Sequence, residues 1–339
     1  MRQRMVFWGG MLVSIAVMTV LLLKIDFRQL TVALGRLEWS ALVPAILFTF
    51  LSFWLRAVRW RYLLIHEKPV RLASLYPAVI IGYMANNLLP ARLGEFVRAW
   101  VLAQKERLPV SGVFASLVID RMVDGMSVMV MLVCVLLTLR LPAGMEQVAA
   151  MLKTGGLVTL LVYVAALFFL FMLKIRPLYT LRILGVCLRP LPDRVHERVI
   201  SLAGSFLEGL RCSLQLRHLL LIAVTSLLIW VTATLPIWFI LRGFGLDLPL
   251  SVSFFIMVLL VFAVMVPAAP GYIGVYHAAC YTGLKAFNVD DAQAVSIALV
   301  IHAVGFFPVI LAGAYHLWSR GLSLQRLREQ AAARDGGAA

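Results

Sequence analysis

Charge is scarce along this chain. Only 14% of its 339 residues are charged and 62% are hydrophobic, with a mean hydropathy of +0.95. Soluble domains are nearer half apolar and a quarter charged, so a soluble globular domain is excluded. Carboxylates are the scarcest charge, 16 Asp and Glu against 31 Lys and Arg, for a net +15. In a soluble protein that excess would suggest nucleic acid. Here apolar runs of about 20 residues, the length that crosses a bilayer, recur from end to end. The excess therefore reads as basic residues kept on one side of a membrane, and as attraction to anionic headgroups. No nucleic-acid partner is expected. The short alternating segments of a membrane β-barrel are missing. Cysteine is also sparse. Cys134, Cys187, Cys212 and Cys280 form no CxxC pair, which argues against a disulfide framework or a zinc site. The chain lacks a glycine-rich phosphate loop followed by Lys-Ser/Thr, a GxSxG elbow, an HExxH pair and metal-ligand spacing. No cofactor, no metal and no catalytic residue are expected, and the chain reads as a transporter rather than an enzyme.

The chain instead consists of apolar spans at about 6–23, 40–62, 111–139, 155–173, 218–241 and 291–318. The first follows Met1-Arg2-Gln3-Arg4 and ends at Lys24-Ile25-Asp26, which is no small-residue cleavage site, so an uncleaved helix is expected. Between 174 and 217 Val195, Val199, Leu202, Phe206 and Leu210 recur at helical spacing after Pro190 and Pro192. That amphipathic helix lies flat on the inner leaflet or packs across the bundle base. Two further apolar stretches, 72–89 and 250–266, each run into a Pro/Gly break and a short helix. The fold class is an all-α polytopic membrane protein, with about six full spans and two oppositely oriented re-entrant broken-helix hairpins. Residues 1–319 form the membrane domain, and 320–339 a cytoplasmic tail, partly disordered. Placing both termini inside puts 22 of the 31 basic residues on the cytoplasmic side and 7 outside, with Arg92 and Arg121 at membrane depth. A bacterial inner membrane is the expected location.

The breaks carry the chemistry. The first reads Asn86-Asn87-Leu88-Leu89-Pro90-Ala91-Arg92-Leu93-Gly94-Glu95-Phe96-Val97-Arg98. Charges and a broken backbone at membrane depth are tolerated only where protein or a watery cavity covers them. Asp120 and Asp124 lie four apart on one helix face, with Arg121 three before Asp124. Asp120 is about nine residues into its span, on the order of 14 Å deep. Together with Arg92, Glu95 and Arg98 they form internal ion pairs, a groove for an anionic headgroup, or both. Arg56 and Arg59, beside Trp60, read mostly as interface anchors that snorkel, with phosphate contact the sharper option. In the second break, Pro267-Ala268-Ala269-Pro270-Gly271-Tyr272-Ile273-Gly274, the candidates are Gly271, Tyr272 and Gly274. His277 and His302 follow as packed core histidines or a proton-responsive pair.

At four places the chain resembles the membrane domain of lysylphosphatidylglycerol synthases, a family that also holds stand-alone flippase-like proteins. They are Asn86–Arg98, Asp120-Arg121-Met122-Val123-Asp124, Arg56-Ala57-Val58-Arg59-Trp60 and Pro270-Gly271-Tyr272-Ile273-Gly274-Val275. The resemblance covers about 6–318. It implies a helical flippase fold and lipid transfer between leaflets, with Arg92, Glu95, Arg98, Asp120 and Arg121 near the lipid path. Many members carry an acidic residue where this chain has His277 and arginine where it has His302. The synthases' soluble aminoacyl-transferring domain, and with it that enzymatic activity, is expected to be absent. The expected function is transport of an anionic or phosphate-linked lipid, and the expected partners are membrane lipids. A second copy of the chain or an enzyme of lipid synthesis are the protein partners this allows. The alternatives are a membrane-embedded lipid-modifying transferase and a small-solute carrier.

Overall fold

The structure is a computed structural model that describes residues 27–64, 69–89, 93–139, 146–187, 216–265 and 270–319. The predicted first span, the amphipathic 195–210 segment, Arg92 and the tail lie outside these residues. All regular structure among the described residues is helical. α1 is Phe27–Gly35, α2 Leu42–Leu63, α3 Leu72–Leu88, α4 Gly94–Glu106, α5 Val110–Thr138 and α6 Glu146–Ile175. α7 is Pro177–Cys187, α8 Leu216–Gly243, α9 Leu250–Met265, α10 Val275–Lys285 and α11 Asp291–Trp318. Four of them, α2 with the short 3-10 turn before it, α5, α8 and α11, are long and apolar enough to cross a membrane. Pro236 and Pro308 sit inside two of these, as membrane helices permit.

The helices stop where their sequence tells them to. Asp290 caps α11, its carboxylate accepting from the Ala292 N–H at 3.1 Å. Just past the end of α8, Gly245 takes the left-handed region (φ 75°), with the Leu246 N–H reaching back to the Leu241 carbonyl at 3.0 Å. Between the expected spans at 6–23 and 40–62 the structure adds α1, a nine-residue amphipathic helix. Leu30 and Leu34 pack it on Val295 and Leu299 of α11 and Tyr281 of α10.

The chain divides into two compact interleaved units, residues 1–54, 76–98 and 231–339 in the first, 55–75 and 99–230 in the second. At one end of the first unit the Glu38 N–H bonds the Gly243 carbonyl (2.8 Å) and the Gln293 amide bonds the Phe244 carbonyl (3.0 Å). Lys285 and Tyr281 both meet Asp291 there, at 2.8 Å. At the other end of α11, His316 stacks edge-on against Tyr76 of α3, and Gly313 admits Met84. α3 therefore starts beside the C-terminal end of α11, whereas α10 finishes beside its N-terminal end. In the second unit α5 and α6 run antiparallel, Gly125 against Tyr163 and Gly156 against Leu132. The exposed Leu157, Val158, Leu161, Val162 and Val164 point around α6 in several directions, as a helix facing lipid requires.

Candidate functional site

The second unit holds a buried knot of charge built by three unbroken helices. The last two turns of α2 carry Arg56, Arg59 and Trp60, α5 carries Asp120 and Asp124, and α8 carries Ser226 and Trp230. Arg59 is the hub and has no exposed surface. Its Nε donates to Asp120 Oδ1 at 2.9 Å, its Nη2 reaches Asp120 and Asp124 at 2.7 Å each, and its Nη1 donates to Ser226 at 3.1 Å. Ser226 in turn donates its hydroxyl to the Ile222 carbonyl at 2.6 Å. Arg56 pairs with the other oxygen of Asp124 at 2.9 Å and lies 5.5 Å from the centre of the Trp230 ring. Trp60 donates to Ser116 at 2.9 Å.

This corrects the expectation that Arg56 and Arg59 snorkel at the membrane edge. Both are buried, because two carboxylates on one face of α5 offer charge-assisted bonds in place of water. Arg121 pairs with Asp124 as its spacing predicts, but at 3.3 Å, and with Asp120 at 3.5 Å. Its side chain is 37% exposed, so it is the most accessible cation of the knot. Ser226, Trp230 and Gly125 were missed. Ser226 and Trp230 are four apart on an apolar helix, a weak signal. Gly125 is forced by Tyr163, whose ring and hydroxyl occupy the space a Cβ would take.

In the first unit the two breaks are closed by polar groups on backbone. The Gly94 N–H, the first of α4, donates to Asn86 Oδ1 at 2.8 Å. Gly82 and Gly94 let α3 and α4 touch backbone to backbone, and Arg98 is buried with its Cβ and Cγ stem against Gly82. Asn86 thus caps a helix, and Glu95 stands in the first turn of α4, where the helix dipole favours an acid. In the second break Gly271, Tyr272 and Gly274 have φ of 75°, 57° and 91°. His302 Nε2 lies 2.8 Å from the Gly271 carbonyl, and the Gly274 N–H points at His277 Nδ1 at 3.3 Å. The imidazole centroids are 4.7 Å apart. The breaks meet at Gly271, where a Cβ would stand 3.0 Å from Phe306 and 3.8 Å from the Asn87 carbonyl. Asn86, Asn87, Gly271, Gly274, His277 and His302 are thus brought together, with Glu95, Arg98 and Tyr272 in the same unit. Arg56, Arg59, Asp120, Arg121 and Asp124 form the separate cluster of the second unit.

These features define a multi-pass helical membrane protein whose charge is buried in its helices. The chain belongs to the family described as the lysylphosphatidylglycerol synthase TM region, which it matches over residues 7–313. It is 26% identical to the glycosyltransferase AglD of Haloferax volcanii over 97% of this chain and 57% of that protein. The chain thus spans little more than half the length of that relative. It is 23% identical to a UPF0104 membrane protein of Methanothermobacter thermautotrophicus, covering 90% of this chain and 93% of that one. A UPF0104 membrane protein of Pyrococcus horikoshii is 24% identical over 92% and 96%. No solved structure matches.

Proposed function

We propose that this chain moves a lipid with an anionic or phosphate-linked headgroup between the leaflets of the bacterial inner membrane, with Arg121 as the headgroup contact. The carrying observation is the ranking of bonds on Asp120 and Asp124. Arg59 and Arg56 hold the two carboxylates at 2.7–2.9 Å, while Arg121 rests on them at 3.3–3.5 Å and is 37% exposed. A phosphate oxygen can reach an arginine fork that exposed, and Arg59 and Arg56 remain on the two carboxylates if it turns away. Support for transfer comes from the two interrupted elements, which approach α11 from its opposite ends and meet at Gly271. Oppositely directed broken helices are the usual frame of a transporter site. Six full spans with two re-entrant hairpins, both termini cytoplasmic, are part of this reading. So are lipids as partners, with a second copy or a lipid-synthesis enzyme beside them.

The test is a leaflet-accessibility assay in proteoliposomes across a panel of lipids. Arg121→Ala is expected to lower transfer at least tenfold while costing about 1 kcal/mol or less in a detergent melt, as a screened pair should. Undiminished transfer by a folded Arg121→Ala protein overturns the assignment. A cysteine at Arg28, in a chain whose own cysteines are serine, should label from outside intact spheroplasts. A second reading rests on the likeness to a protein named as a glycosyltransferase. In it the chain takes part in glycosyl transfer to a lipid, itself or with a partner enzyme. A new lipid species in mass spectra after incubation with sugar donors would favour it.

A further inference from the structure

The turn between α9 and α10 is fastened by two histidines whose protonation can be read from their partners. A carbonyl only accepts, so the His302 nitrogen 2.8 Å from the Gly271 oxygen, Nε2, carries a proton. A backbone N–H only donates, so His277 Nδ1, 3.3 Å from the Gly274 nitrogen, carries a lone pair. Both imidazoles hold the same four-residue turn, and three of its residues, Gly271, Tyr272 and Gly274, have positive φ.

The two rings answer a proton differently. His302 protonated at Nδ1 still donates through Nε2, so the Gly271 bond survives. His277 protonated at Nδ1 turns its N–H toward the Gly274 N–H, donor against donor, and the bond is lost. The first break does the same work with the Asn86 amide, which does not titrate in this range. We infer that the Gly271–Gly274 turn is a proton-operated latch, in which a proton taken up by His277 releases the first turn of α10 from the turn. This rests on the lipid-transfer reading only in saying what the release serves.

Among the described residues, the titratable and charged groups on the elements around the turn are these. α9, Leu250–Met265, contributes no titratable side chain. α11 contributes His302. Its Asp291 is eleven residues away, held by Lys285 and Tyr281, and Tyr315 and His316 lie at its far end. α10 itself places Tyr276 beside His277 and Cys280 beside Tyr276, and Tyr276 also packs on His302 with centroids 5.0 Å apart. From the first hairpin the neutral Asn87 carbonyl approaches Gly271, while the charged Glu95 and Arg98 are on α4.

Hydrogen exchange of the full chain in detergent tests the latch without requiring transport. Between about pH 8 and about pH 3.5, an interval wide enough to protonate a histidine that burial and a neighbouring imidazole hold below its usual range, exchange at 274–278 is compared after correction for the intrinsic pH dependence. Protection there should fall roughly five- to tenfold on acidification, the effect of losing one capping hydrogen bond, with α9 and the rest of α11 unchanged. His277→Asn keeps an acceptor near the Nδ1 position and has nothing to protonate, so its protection should be the same at both pH values. Wild-type protection that ignores pH, or an H277N protein that loses it equally, overturns the latch. Should H277N not fold, nitrogen-15 spectra of histidine-labelled wild-type protein decide. Protonation at His277 Nδ1 must coincide with the loss of protection, and a proton that settles on His302 with 274–278 still protected refutes the proposal. Lipid transfer missing at every pH would sink the transport reading and leave this result standing.

Discussion

The knot in the second unit and the paired breaks in the first bury polar groups in opposite ways. In the knot the helices are whole, their backbone bonds are made internally, and long side chains cancel charge with charge. In the breaks the backbone is interrupted, and neutral side chains, Asn86, His277 and His302, tie down its loose N–H and C=O groups one bond at a time. The difference is one of cost. A charge stranded in the knot has nowhere to go, whereas a broken backbone bond at an interruption can be remade with water. The knot is built to stay fixed, and the breaks are built from bonds weak enough to open.

The sharpest way to break that comparison is at Arg59. Arg59→Leu removes the shortest partner of both aspartates and should cost about 3–5 kcal/mol, the usual loss when one member of a buried pair is deleted. Arg59→Lys keeps the charge without the fork and should fall between. His302→Ala removes one hydrogen bond from the Gly271 turn and should cost only about 1 kcal/mol. Thermal melts of the three proteins in one detergent order them. If Arg59→Leu melts no lower than His302→Ala, the knot is not the rigid centre.

A smaller effect is expected beside the knot. Gly125→Ala puts a methyl where Tyr163 already lies, and overpacking of that kind costs about 1–3 kcal/mol. Tyr163→Ala opens the space, so the double variant should be more stable than the sum of the single losses predicts. A strictly additive pair would mean that α5 and α6 do not meet there.

The helices were legible because apolar runs and their breakers are local signals. α11 begins and ends where the run 291–318 does, and α5, Val110–Thr138, is one residue off the expected 111–139. The interruptions at Pro90/Gly94 and Pro270/Gly271 were visible for the same reason. Partners were not. Nothing near Arg59 in sequence says that its fork closes on Asp120, 61 residues on, or on Ser226, 167 residues on. Read locally, a basic residue near the end of an apolar span looks like an anchor. α1 was missed because nine residues carry too little periodicity to stand out from a loop. Asn86 was singled out for its amide, but only the fold shows that the amide faces the start of α4.

That last point gives the finest test of the comparison. If the first break is held by Asn86 as a helix cap, the side-chain oxygen matters and the amide nitrogen does not. Asn86→Ala removes the acceptor for the Gly94 N–H and should cost about 1 kcal/mol, the usual loss of an N-cap. Asn86→Asp keeps the oxygen and places a negative charge at a helix N-terminus, where the dipole offsets part of the cost of burying it. It should therefore retain most of the exchange protection of the Gly94–Arg98 amides that Asn86→Ala loses. Because neither the wild-type amide nor alanine titrates in the neutral range, the protection of α4 in the wild-type and Asn86→Ala proteins should not change between about pH 8 and about pH 5. A headgroup contact through the Asn86 nitrogen predicts the reverse order, with Asn86→Asp impaired in lipid transfer as badly as Asn86→Ala and the protection of α4 the same in both. Measuring exchange and transfer on the same two variants separates the cap from the contact.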